Sequence, residues 1–402
     1  MKVLLLGMGL QGKAVAQSLE KSPLVKEILV LDNNLDSINK YVAEIGFKKI
    51  TTGALNAKSE SELHKSVSQS GADLVIMMLP VEFGSSVARA ALDAGIHFVS
   101  SGYAGEIALM DREAKAKGVI MLPEMGLDPG IDLILGGIAV GMLDRVDGLY
   151  SYGGGVPEPA HKDDNPLSYK ISWSFEGVLK AYARDAVVIR EGEQIDIPGN
   201  SIFKPENTHM VDIAGLGSME AYPNGDAAKF ISAFGLDKNI RHMGRFALRW
   251  PGHCGFWGTM ADLGLLADKP ADTLPVSPRE FLVKALSPKL QYADGEKDIV
   301  IIRVEAWGEK DGVGKRVTWD LIDSRDLETG LFAMNRTVGY TTAIAAKMIL
   351  SGKINAPGVL SPIKDVPTED FLRELELVGI RSQCRVEDID LGRYEPTSTP
   401  VA

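Results

Sequence analysis

Lys2-Val3-Leu4-Leu5-Leu6-Gly7-Met8-Gly9-Leu10-Gln11-Gly12 decides the fold. An apolar run suited to a buried strand leads into G-x-G-x-x-G, and Ala14, Val15 and Leu19 continue at helical spacing. Together they open a dinucleotide-binding strand–turn–helix unit. Gly7 permits the tight turn off the strand, Gly9 lets backbone approach a pyrophosphate, and Gly12 allows close helix–strand packing. The helix start at Leu10 and Gln11 offers unpaired N–H groups to the phosphates. A second apolar strand, Glu27-Ile28-Leu29-Val30-Leu31, ends in Asp32, twenty residues past Gly12. A carboxylate there grips an adenosine ribose and favours NAD, with NADP as the alternative. A glycine-rich turn without a cofactor is the plain structural alternative.

Outward from this stretch, strand and helix patterns alternate to about residue 125. Helices are expected over 35–45, 59–69, 85–94 and 107–117, and strands over 50–52, 73–80, 97–100 and 119–122. That is a Rossmann-type doubly wound parallel sheet with its ligand at the carboxyl ends of the strands. After Gly130 a helix (131–141) and a strand (148–152) precede Gly153-Gly154-Gly155. The strands then lengthen and alternate, with 298–307 and 315–322 expected as antiparallel neighbours about Lys310-Asp311-Gly312. A second α/β domain with a mixed, largely antiparallel sheet follows. The helix over 337–350 is rich in small residues suited to close packing, and the polar tail past Arg385, with Pro396 and Pro400, reads as a frayed end.

The 402 residues carry a net charge of −11, which disfavours nucleic acid and anionic membrane surfaces as partners. Cys254 and Cys384 form no disulfide framework, and no run of eighteen apolar residues spans a membrane. A cytoplasmic protein with a small-molecule substrate is expected, as a homodimer. Leu79-Pro80 ends the fourth strand and borders the ribose and nicotinamide. Glu82, Tyr103 and Asp128 follow three strand ends and reach one rim, where a carboxylate can move a proton while hydride moves. Asp128 also stands where it can cap the helix behind Pro129. His253 with Cys254 lacks a second ligand pair, so no metal site is expected, and His161 reads as a solvated loop residue. Lys170 reads as a strand residue, and Arg336 as preceding the last helix.

Gly126-Leu127-Asp128-Pro129-Gly130-Ile131-Asp132, Ser151-Tyr152-Gly153-Gly154-Gly155-Val156-Pro157-Glu158-Pro159 and Asp164-Asn165-Pro166-Leu167-Ser168-Tyr169-Lys170-Ile171-Ser172-Trp173-Ser174 resemble the saccharopine dehydrogenase family. The similarity runs over nearly the whole chain and is strongest to the glutamate-forming branch. It implies a Rossmann domain at 1–125, a substrate and dimerisation domain at 126–334, and a segment at 335–402 returning to the Rossmann domain. The implied reaction is reversible, NAD(P)-linked oxidation of an amine carbon to an imine. Hydrolysis of that imine releases, from saccharopine, glutamate and a lysine-derived semialdehyde. Related enzymes that oxidise the side-chain amine of free lysine keep a second substrate open. A non-catalytic NAD sensor is the reading of another class, against which Asp128, Lys170 and Arg249 argue.

By the resemblance, Asp128 takes part in proton transfer and Tyr103 lies near it, although Gly102 is inserted beside Ser101. Gly153 stands where the family has cysteine. Asn224 belongs to a Tyr-Pro-Asn motif whose following arginine is replaced by Gly225. Arg249, in Leu248-Arg249-Trp250-Pro251-Gly252, is left as the main anchor for a substrate carboxylate, with Lys170 beside it.

Overall fold

Six apolar runs of the first third of the chain become strands of one parallel sheet in the computed structural model, which describes residues 1–270 and 275–396. They are β1 (Lys2–Leu6), β2 (Glu27–Asp32), β3 (Ile50–Ala54), β4 (Leu74–Met77), β5 (His97–Ser100) and β6 (Ile120–Leu122). The intervening helices are α1 (Leu10–Glu20), α2 (Leu35–Ile45), α3 (Glu60–Ser68), α4 (Gly84–Ala94) and α5 (Asp111–Lys117). The strand order is 3-2-1-4-5-6, with the short strand Gly358–Val359 added beside β6. This is the doubly wound order, and its direction reverses between β1 and β4, where such sheets bind ligands. Leu4, Leu5 and Leu6 have no exposed surface, as a strand covered on both faces requires. Local signals set the helix ends: Asn34 and Ser59 accept hydrogen bonds from the N–H groups of Ser37 and Glu62.

The second sheet is mixed and holds nine strands. Its members are β7 (Arg145–Pro157), β8 (Ala186–Arg190), β9 (Glu193–Ile197), β10 (His209–Ile213), β11 (Gly217–Pro223), β12 (His242–Arg249), β13 (Asp298–Lys310), β14 (Val313–Ser324) and a last strand, Ser382–Asp388. Only β7 and β12 pair in parallel; the other pairs are antiparallel. β13 and β14 form the expected hairpin, closed at Asp311 and Gly312 with φ of 51° and 76°. The helices are α6 (Ile131–Gly141), α7 (Phe175–Ala181), α8 (His253–Asp262), α9 (Pro278–Leu286) and α10 (Ala333–Leu350). The chain divides into two compact units, one of residues 1–134 with 335–381 and one of 135–334 with 382–402.

Several elements differ from the sequence reading. β7 runs through the glycine triplet instead of stopping before it. A Cβ on Gly154 would sit 2.8 Å from the Leu248 carbonyl oxygen and one on Gly155 2.6 Å from Met334 Cε, so glycine there fits crowded strand positions. Lys170 lies in an irregular segment, Arg336 lies within α10, and His253 and Cys254 open α8. The last strand pairs with β14 in the second unit, so the tail does not fray at Arg385; residues 335–381 cluster with the first unit, and the chain from 382 belongs to the second. That strand has almost no apolar signal. Its register is marked instead by Lys315–Asp388, Arg316–Glu387 and Arg385–Asp320 ion pairs. Pro400 lies outside the described residues. Among the described residues no helix is long and apolar enough to cross a membrane.

Candidate active site

In the first unit, the glycine turn is fixed by what surrounds it. Gly7 has φ +90°, and a Cβ there would lie 2.9 Å from the carbonyl carbon of Met78. A Cβ on Gly12 would fall 2.3 Å from the Gly7 carbonyl oxygen, whereas nothing lies within 4 Å of one on Gly9. The turn is therefore tight against β4 and open at Gly9, the arrangement a pyrophosphate needs at the start of α1. Asp32 braces the turn: its carboxylate accepts from the N–H groups of Met8 (2.7 Å) and Asn34 (2.9 Å). Leu10 is exposed, Gln11 half-buried, and Leu79 and Pro80 follow β4 half-buried and exposed respectively. These residues fit a dinucleotide. Gly339 of α10 contributes as well, since a Cβ there would lie 2.5 Å from the Gln11 carbonyl oxygen and 2.6 Å from Ala14 Cβ.

Asp128 and Tyr103 meet in the same unit, the tyrosine hydroxyl lying 3.4 Å from a carboxylate oxygen of Asp128. The loop carrying Asp128 is closed at its base. Gly126 donates to the Pro129 carbonyl oxygen (2.9 Å), and a Cβ on Gly130, at φ +147°, would strike Gly126 at 2.1 Å. The first N–H groups of α6 are taken by main-chain oxygens, Ile131 bonding to Gly126 and Asp132 to Leu127. Glu124 was not anticipated. It adopts φ 64°, donates its N–H to the Gly102 carbonyl oxygen and accepts from the N–H of Ala104 (3.2 Å), tying down both neighbours of Tyr103. A glutamate in a left-handed conformation was its only mark, and that is invisible in sequence. Glu82 is exposed in the turn after β4.

In the second unit, Arg249 ends β12 and is 7% exposed. Its guanidinium carbon lies 5.6 Å and 5.9 Å from the ring centres of Tyr169 and Tyr222, and its Nε donates to the Tyr182 hydroxyl (3.3 Å). No carboxylate among the described residues pairs with it. The hydroxyls of Tyr169 and Tyr292 are buried without hydrogen-bond partners. Burial pushes both phenols well above their ordinary titration range and pushes His253, bonded to Tyr182 at 2.9 Å, well below its own, so all three are neutral. Lys170, by contrast, is committed: its ammonium donates to Glu296 (2.7 Å) and Asp164 (2.9 Å). Hydrogen bonding from Lys170 holds the Asp164 carboxyl below its usual range. His161 joins this cluster at 3.0 Å from Asp164, and the lysine already supplies the cation there. Asn224, just past β11, accepts from Arg184 (2.7 Å).

Comparison with known proteins identifies both units' sequence. The description "Saccharopine dehydrogenase NADP binding domain" matches residues 3–122, and "Saccharopine dehydrogenase C-terminal domain" matches residues 126–380. The mitochondrial alpha-aminoadipic semialdehyde synthase of Rattus norvegicus is 27% identical across 94% of this chain and 47% of its own length. The chain thus spans about half the length of that relative and of its mouse and bovine counterparts. The saccharopine dehydrogenase (NADP+, L-glutamate-forming) of Pyricularia oryzae is 26% identical over 96% of this chain and 98% of its own. In fold, apo histidine-tagged saccharopine dehydrogenase (L-Glu forming) from Saccharomyces cerevisiae is similar with a TM-score of 0.83 at 24% identity, over 96% of this chain and 99% of that one.

Proposed function

The chain belongs to the saccharopine dehydrogenase family, and from that premise we propose that it oxidises the secondary-amine carbon of saccharopine with a pyridine nucleotide, releasing glutamate and a lysine-derived semialdehyde. Gly7, Gly9, Leu10, Gln11 and Gly12 hold the cofactor's phosphates, and Asp32 its ribose. Leu79 and Pro80 border the nicotinamide. The chemistry that group supplies when bound is acceptance of hydride from the amine-bearing carbon. Asp128 takes the nitrogen proton directly or through water, and the Tyr103 hydroxyl 3.4 Å away orients its carboxylate. Asn224 and Arg249 bind the substrate, whereas the Lys170 ammonium is taken up by Asp164 and Glu296.

The observation that carries this reading is the Arg249 environment. A buried cation without a counter-charge is costly by several kcal/mol, and the buried Tyr169 hydroxyl, on the ring 5.6 Å from the guanidinium carbon, has no hydrogen-bond partner. A substrate carboxylate satisfies both. Asp32 supports NAD, while the similar saccharopine dehydrogenase of Pyricularia oryzae is an NADP+ enzyme by name; the residue decides preference and leaves NADP usable. Free lysine is the second reading, favoured by Gly225, which has no side chain to hold an additional carboxylate. A cytoplasmic homodimer is part of the proposal. Cys254 and Cys384 are free thiols, which supports a reducing compartment. The last strand's outer edge has no strand partner among the described residues, which supports a second copy. The test is a substrate screen by reduced-nicotinamide absorbance. Saccharopine is expected to outperform lysine and related amines, and reduction by lysine alone would replace this reading with the second.

A further inference from the structure

We propose that Arg184 is a second carboxylate-binding residue of the substrate site, aimed by Asn224 across the bare backbone of Gly225; the inference rests on the function proposed above.

Arg184 sits just past α7, in a turn in which its own N–H bonds to the Ala181 carbonyl oxygen. Its side chain is exposed, and no carboxylate among the described residues pairs with it. One of its terminal nitrogens donates to the Asn224 side-chain oxygen at 2.7 Å. The guanidinium carries five N–H groups, so most of its donors stay available to a ligand. Beneath it lies Gly225, at φ +76°. A Cβ there would stand 3.3 Å from the terminal nitrogen and 3.5 Å from the guanidinium carbon. The guanidinium therefore rests on the position where sequence reading found no arginine, delivered from a different part of the chain. Any side chain at 225 would crowd it.

The placement relative to Arg249 gives this arginine a use. Tyr182 and Arg184 leave one end of α7, and Tyr222 and Asn224 leave one end of β11, two residues apart in each case. Tyr182 and Tyr222 flank Arg249, while Arg184 and Asn224 bond to each other. Asn224 donates its N–H to the Arg245 carbonyl oxygen (2.8 Å), which sets it four residues from Arg249 along β12. Four residues of strand span about 13 Å. Saccharopine has about ten bonds between its terminal carboxyl carbons, equivalent to roughly three extended residues or ~11 Å. A substrate with carboxylates at both ends can engage both arginines through their bidentate forks. Free lysine has one carboxylate and cannot. Arg184 thereby selects the longer, multiply carboxylated amine.

The test compares the parent with Arg184→Gln and Arg184→Lys. Glutamine keeps a donor for Asn224 and removes the charge; lysine keeps the charge and loses the planar fork. Loss of charge-assisted hydrogen bonds should raise the KM for saccharopine about 10- to 100-fold in Arg184→Gln, with kcat within a few-fold. Arg184→Lys should fall between. Equilibrium binding of saccharopine, measured calorimetrically, should weaken in parallel, while nicotinamide-cofactor affinity and the thermal melting curve stay at parent values. If the parent turns saccharopine over and Arg184→Gln retains KM and affinity within two-fold, the role of Arg184 is overturned and the proposed function stands. If the parent neither binds nor oxidises saccharopine, the proposed function fails and this inference falls with it.

Discussion

Asp298→Asn should change how stability depends on pH, by an amount the structure sets. Asp298 opens β13 with no exposed surface, and its carboxylate accepts from the N–H groups of Ala333 (2.7 Å) and Met334 (3.1 Å) at the start of α10. Burial pushes its carboxyl up from an ordinary 3.8 to about 6, against the pull of those two N–H groups. The folded value lies above the unfolded one, so the folded chain prefers the neutral acid. Its contribution to stability is complete below pH 3.8 and is lost as pH rises through about 6. At 1.36 kcal/mol per pH unit the loss is about 3 kcal/mol. Asparagine cannot ionise, so the variant should gain about 2.4 kcal/mol of that relative to the parent between pH 4 and pH 7, whatever its offset at pH 4. Groups common to both proteins, such as His209, which burial lowers to about 4, cancel in the difference. Urea unfolding followed by tryptophan fluorescence is the assay, because Trp173, Trp250, Trp257, Trp307 and Trp319 all belong to the second unit. A variant–parent difference that is flat across this range, or that grows on acidification, would refute the reasoning.

Three further outcomes are expected. Catalytic efficiency should be higher with NAD than with NADP, and Asp32→Ala should narrow the gap by removing the carboxylate that repels a 2′-phosphate; equal or better efficiency with NADP in the parent counts against this. Asp128→Asn should lower turnover about 10²- to 10⁴-fold with cofactor affinity nearly unchanged, whereas turnover within a few-fold of the parent would leave Asp128 a purely structural loop residue. Gly339→Ala forces a Cβ to 2.5 Å from the Gln11 carbonyl oxygen, an overpacking of about 1–3 kcal/mol; dissociation constants for the nucleotide should rise, and an unaltered constant would mean that α10 does not hold the glycine turn.

The parallel sheet was legible because its signals are local. G-x-G-x-x-G and the apolar runs of β1, β2 and β4 each declare an element within a few residues. The hairpin of β13 and β14 was equally plain from alternation about Asp311-Gly312. What stayed hidden depends on contacts between distant parts of the sequence. The last strand is polar and is held by ion pairs to β14, so hydrophobic periodicity gave no sign of it. β7 passes through the glycine triplet, where Leu248 and Met334 occupy the space that side chains at 154 and 155 would need. The same holds at the candidate site. Asp128 and Arg249 stood out by motif, but Lys170's commitment to Asp164 and Glu296 exists only in three dimensions. The bracing of Tyr103 by Glu124 and the packing of Gly339 on Gln11 are likewise tertiary facts. Arg184 carries no motif, and the guanidinium that lies on Gly225 comes from a separate stretch of the chain.

The central claim is that this chain splits saccharopine oxidatively, and the most direct measurement is product stoichiometry. Purified protein incubated with saccharopine and NAD or NADP should release one glutamate for each reduced nicotinamide formed, with an aldehyde appearing at the same rate. Formation of reduced nicotinamide from free lysine, with no glutamate released from saccharopine under either cofactor, would contradict it.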